Sequence, residues 1–136
     1  MAFSGTSSSM MLKSPREIEI MARGGAILRA TLLKMRDAVR PGVSTMDLDA
    51  IGEAFIRSHE GAEPAFKGLY GFPGSVCISI NEEIVHGIPS RKRILNEGDI
   101  VTVDVGVKLD GMFTDAALTV PVGTIDPLTQ RLLDVT

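Results

Sequence analysis

The chain of 136 residues is the length of one domain, and with 44% hydrophobic residues it can bury a core, which excludes disorder of the whole chain. Its 14 Lys+Arg against 17 Asp+Glu leave a net charge of −3, and with no Trp, one Tyr and five Phe it has neither the charge nor the stacking surface of a nucleic-acid binder. Cys77 is the single cysteine, so no intrachain disulfide can form; no export signal or membrane-length apolar run is visible, and the expectation is a soluble cytoplasmic protein.

Residues 1–13 are rich in Ser, Gly and Thr and read as a flexible tail, with Met10 or Met11 as an alternative start. Residues 14–136 read as the folded unit. Ser14, Pro15 and Glu17 form a capping box with proline at the first helical position. Behind it Ile18, Met21, Ala22, Gly25, Leu28, Leu32, Met35 and Val39 recur at helical spacing, which predicts a helix over about 15–39. A second capping box at Ser44 to Asp47 opens a helix over about 45–59, with Leu48, Ile51, Phe55 and Ile56 as its apolar face. His59 near its end suits the helix dipole better than a ligand role.

After Pro64 the glycines at 68, 71 and 74 mark a loop; they lack the Gly-Lys-Ser/Thr ending of a phosphate-binding loop. Residues 75–80 read as a strand, Asn81-Glu82 as a turn and residues 83–86 as a second strand, ended by Gly87-Ile88-Pro89. Arg91-Lys92-Arg93 is a solvated basic loop. Residues 100–109 and 112–120 form a hairpin on the two-residue turn Asp110-Gly111. Asp126-Pro127 starts a third helix, faced by Leu128, Leu132 and Val135, and the chain stops inside it. The order is that of an α+β fold: an antiparallel β-sheet covered by two α-helices, truncated within a third helix.

The hairpin turn sets the register. Leu109 faces Met112, so Asp104 faces Ala117 and Asp115 faces Gly106, all on one side of the sheet because side chains alternate with period two. Val101, Val103, Val105 and Val107 occupy the other side and predict a core. Asp104 and Asp115 become diagonal neighbours, roughly 5–7 Å apart at Cβ. Like charges this close destabilise a strand pair, and a bound cation removes the penalty; carboxylate oxygens suit Mg, Mn, Fe(II), Co or Zn, and a bridging carboxylate can hold two metals about 3.5–4 Å apart. The alternative is that both carboxylates simply face water. His86, before the rigid Gly-Ile-Pro turn, is a candidate for proton transfer or hydrogen bonding near neutral pH.

The run SVCISINEEIVHGIP over residues 75–89 resembles the type I methionine aminopeptidases. So do GDIVTVDVG over 98–106, Asp110-Gly111, Thr114-Asp115-Ala116, the opening KSPREIEIM over 13–21 and RPGVST over 40–45. The resemblance implies one half of a pita-bread metallopeptidase fold, the N-terminal half. It implies an enzyme that removes the initiator methionine from nascent proteins by metal-activated attack of water on the first peptide bond. It implies two divalent metal ions in the complete enzyme (Co, Mn, Fe(II) or Zn), with Asp104 and Asp115 as ligands and Asp115 bridging. His86 would hydrogen-bond the substrate, and Phe72, Cys77 and Leu69 would line the pocket for the methionine side chain, Leu69 standing where the family often has Tyr. The expected partners are N-terminal Met peptides, with the second half of the fold or another chain completing the site. The other metal ligands of the family, one His and two Glu, belong to that second half, so the chain is expected to be an incomplete, inactive or weakly active fragment. The alternatives are a non-catalytic half that binds or dimerises, or a relative of the X-Pro peptidases and prolidases.

Overall fold

The structure, a computed structural model, describes residues 11–136. The tail expected over 1–13 and the start at Met10 therefore fall, up to residue 10, outside the described residues. Helix α1 spans Pro15–Ala38 and α2 spans Thr45–Arg57. Strands β1 (Ala62–Pro64), β2 (Val76–Ile80), β3 (Ile100–Leu109) and β4 (Met112–Pro121) make one antiparallel sheet, and α3 (Pro127–Val135) follows.

Both capping boxes close. Ser14 Oγ accepts from the Glu17 amide at 3.2 Å while the Ser14 amide donates to Glu17 Oε2 at 2.6 Å, and Ser44 and Asp47 repeat the exchange at 3.1 Å each way. Each pair satisfies amides that the helix leaves without partners. The buried stripe of α1 runs through Gly24, Leu28, Thr31, Leu32 and Met35; Ile18 and Gly25 lie off it. Gly24 lets α1 approach the hairpin, since a Cβ there would already touch Thr114 Oγ1 at 3.4 Å and Leu109 Cβ at 3.7 Å. No described helix is long and apolar enough to cross a membrane.

β3 is the spine of the sheet. It pairs with β1 and β2 along one edge and with β4 along the other. Val101, Val103, Val105 and Val107 are wholly buried on the helix side, where Met35, Leu48, Ile56 and Ile78 meet them. The hairpin register is the one that the Asp-Gly turn predicts: Leu109 opposite Met112, Asp104 opposite Ala117, Gly106 opposite Asp115.

One strand is a correction. Residues 83–86 do not pair as a strand. The chain returns to β2 only at Gly87, whose carbonyl accepts from the Ile78 amide at 2.9 Å and whose amide donates to Ser79 Oγ at 3.1 Å. His86 takes a left-handed backbone (φ 62°), which ends any ladder there, and Ile84 and Val85 stay exposed. The fourth strand is instead Ala62–Pro64, held by the far end of β3 through Ala62 opposite Leu109.

Candidate functional site

The sheet face away from the helices carries the site. Cys77 of β2 lies opposite Asp104 of β3, and Asp115 of β4 lies opposite Gly106, so three adjacent strands present Cys77, Asp104 and Asp115 on one side. A cleft of about 540 Å³ opens over them. Its walls are the segment from Phe66 to Pro73 and the turn at His86 and Ile88. All six residues singled out from the sequence, Leu69, Phe72, Cys77, His86, Asp104 and Asp115, line this one cleft.

Asp104 is the most perturbed of them. Burial pushes its carboxyl up to about 6, the neighbouring Asp115 carboxylate adds to the rise, and His86 opposes it. Oδ1 of Asp104 is buried and has no hydrogen-bond partner. A buried carboxylate oxygen without a donor calls for a proton or a cation. Two hard oxygen donors side by side suit a divalent ion and supply part of a coordination shell; among the described residues no third His, Cys, Asp or Glu joins them. Burial, with the charges of Asp104 and Asp115 behind it, raises the Cys77 thiol to about 11, so Cys77 enters the cleft as a neutral, apolar group.

The apolar wall depends on close backbone approach. A Cβ on Gly106 would meet Phe66 Cε1 at 2.6 Å, so the Phe66 ring packs directly against β3 at the position opposite Asp115. Gly68 (φ 79°), Tyr70 (φ 49°) and Gly71 (φ 78°) turn the segment tightly, leaving Tyr70 fully exposed at the rim and Leu69 half-exposed.

Sequence reading missed what holds these walls. Asp49 of α2 is buried, and its Oδ1 accepts from the amides of Ser75 and Val76, each at 2.8 Å. Desolvation raises its carboxyl despite those two bonds. Gly74 leaves room for this, because a Cβ there would crowd Asp49 Oδ1 and the Pro89 ring. One turn on, Glu53 takes Lys67 Nζ on both oxygens at 2.8 Å and Arg57 Nε at 2.9 Å, and Lys67 above all holds its carboxyl down at about 2. One turn back, Thr45 Oγ1 accepts from the Ser90 amide at 2.9 Å and donates to the Ser90 carbonyl at 3.2 Å. The signal was present in the four-residue spacing of Thr45, Asp49 and Glu53, which puts them in one row.

Comparison with known proteins matches residues 19–136 to the model of metallopeptidase family M24. The chain is 48% identical over 125 residues to the methionine aminopeptidase of Helicobacter pylori, covering 92% of this chain and 49% of that one. It is 47% identical over 127 residues to methionine aminopeptidase 1 of Bacillus subtilis, covering 93% and 50%. The crystal structure of methionine aminopeptidase from Thermotoga maritima superposes with a TM-score of 0.90 at 37% identity, over 93% of this chain and 51% of that one. The chain thus spans about half the length of the relatives it matches, and its sheet and helices are half of their pita-bread fold. The chain belongs to metallopeptidase family M24, in which it resembles the N-terminal half of the methionine aminopeptidases.

Proposed function

We propose that this chain supplies one side of the metal centre, and the methionine pocket, of an aminopeptidase that removes N-terminal methionine from proteins. The observation that carries the reading is the diagonal placement of Asp104 and Asp115 on adjacent strands, with an orphaned buried carboxylate oxygen, at the floor of a cleft whose other walls are mainly apolar. The names of the relatives support the substrate class.

In this reading Asp104 and Asp115 hold the divalent ions. The metal, when bound, supplies a nucleophilic water at neutral pH and polarises the scissile carbonyl. The remaining work belongs to side chains of the cleft. Leu69, Phe72 and Cys77 receive the unbranched thioether side chain, for which a soft apolar wall is suited. In the metal-free cleft the Cys77 thiol is held neutral by burial and by the neighbouring aspartates. His86, at the opposite rim, hydrogen-bonds the peptide and fixes its first amide against the carboxylates. Two carboxylates alone hold a transition metal weakly, so the 136-residue chain is expected to turn over slowly or not at all.

Manganese binding tests the reading directly. Titration of the chain with Mn(II), followed by its electron paramagnetic resonance signal, should show a weak site that is lost in both Asp104→Asn and Asp115→Asn. Equal binding by wild type and both variants would remove the metal from this face. Release of methionine from a Met-Gly peptide with Mn(II) or Co(II) present measures the activity of the chain; robust turnover by the monomer would refute the expected dependence on further ligands.

A further inference from the structure

We propose that the row Thr45, Asp49 and Glu53 on α2 is a frame that sets the shape of the cleft, each residue fastening one end of a cleft wall. What the cleft accepts rests on the function proposed above; the frame itself does not.

Residues four apart stand one above another on a helix, so Thr45, Asp49 and Glu53 form a polar ridge beside the apolar stripe of Leu48 and Ile56. Two acids at this spacing repel each other in an isolated helix. Here each is engaged outside the helix. Glu53 grips Lys67, one residue into the wall segment 66–73, and Asp49 grips Ser75 and Val76 just past its end. The segment between those grips folds on itself through four short-range backbone bonds, Leu69 to Phe66, Gly71 to Gly68, Phe72 to Leu69 and Gly68 to Phe72. Between Pro64 and Val76 only the Ala65 amide, which donates to the Gly106 carbonyl at 2.9 Å, reaches the sheet, and residues 66–73 join none of its ladders. The segment's position over Asp104 therefore depends on its two ends and on the Phe66 ring seated on Gly106.

Thr45 serves the opposite wall. Its hydroxyl both donates to and accepts from the backbone of Ser90, immediately after Gly87-Ile88-Pro89. Gly87 is tied to β2 at the other end of that turn. His86 thus hangs from a short segment fastened by β2 and by α2. Pro89 and Asp49 both close on Gly74, so the middle of the ridge and the second wall converge on one residue. One rigid helix sets the gap between them, which is what a site that must hold its substrate to a fraction of an ångström requires. These three are positioning residues: none of them lines the cleft.

The frame makes separable predictions for the two walls. The test uses the full chain and nuclear magnetic resonance relaxation. In Lys67→Met the amide order parameters of residues 68–72 should fall from about 0.85 to below about 0.6, while His86 keeps its shifts. Lys67→Arg should restore wild-type values. In Thr45→Val the His86 ring signals should move while residues 68–72 stay ordered. In Asp49→Asn hydrogen exchange at Ser75 and Val76 should speed up by roughly tenfold or more. Exchange at Val103 in the core gauges global stability and should be unchanged in Lys67→Met, which keeps the test valid if Asp49→Asn folds poorly. Unchanged order at 68–72 in Lys67→Met, or equal disturbance of both walls by Lys67→Met and Thr45→Val, would overturn the frame. Titration of the wild-type chain with L-methioninamide tests the pocket separately. Shifts at Leu69 and Phe72 support it, and their absence counts against the pocket while leaving the relaxation results to decide the frame.

Discussion

Replacing Asp104 by Asn should make the metal-free chain more stable at neutral pH. The Asp104 carboxyl rises from its ordinary value of 3.8 to about 6, first through burial and then through Asp115. The folded state therefore favours the protonated form. Stability that is present below the unfolded value is lost as pH climbs from about 4 through about 6, because the ionised carboxylate is then held against desolvation and a like charge. At ~1.4 kcal/mol per pH unit, the gap corresponds to about 3 kcal/mol at most at pH 7, and about 1–2 kcal/mol once the water still reaching the cleft is allowed for. Asn keeps the shape, carries no charge and offers Asp115 an amide donor. With a urea slope of about 2 kcal/mol/M, its unfolding midpoint should lie about 0.5–1 M above wild type at pH 7 in chelator, and the two curves should converge near pH 4. Adding Mn(II) should narrow or reverse the order, since a metal bound to the native wild type stabilises it by mass action. A lower midpoint for Asp104→Asn at pH 7 in chelator, or a difference independent of pH, would refute the reasoning.

Three further outcomes follow from the same geometry. Native Cys77, buried and raised to about 11, should be alkylated by iodoacetamide at pH 8 at least about 100-fold more slowly than free cysteine, and at the ordinary rate once unfolded, as read by mass spectrometry. Gly87→Ala would drive a methyl into the Ile78 carbonyl, so it should cost about 2–4 kcal/mol in urea unfolding and displace His86 from the cleft. Ser14→Ala opens an exposed capping box and should cost about 1 kcal/mol, with faster hydrogen exchange confined to the first turn of α1.

Where local chemistry determines structure, the chain could be read directly. The capping boxes at Ser14 and Ser44 placed both helix starts, and Asp110-Gly111 placed every residue of the β3–β4 ladder, including the two aspartates. Where the outcome depends on distant partners, it could not. Ile84 and Val85 have the letters of a strand, yet Gly87 is the point that meets β2 and His86 turns the backbone left-handed before it. Ala62–Pro64 has poor strand formers and pairs only because β3 runs long enough to reach it. Nothing local marks Asp49 in the sequence; its role appears only when Ser75 and Val76, 26 and 27 positions later, bring their amides to it. The cleft was partly visible: Asp104 and Asp115 from register, His86 from its place before Gly87-Ile88-Pro89, and the pocket residues from resemblance. The Phe66 ring on Gly106 belongs to tertiary packing that no periodicity announces.

Among the described residues, two of the four non-glycine positions that adopt the glycine region of backbone space, Tyr70 and His86, stand on opposite rims of the cleft. Each such posture costs on the order of 1 kcal/mol or more, and glycine would relieve it. Directed evolution for heat tolerance alone would thus drift toward glycine at both rims. It would yield a hardier molecule whose mouth had lost its imidazole and its phenol, so thermal hardening and ligand selection need to be screened together.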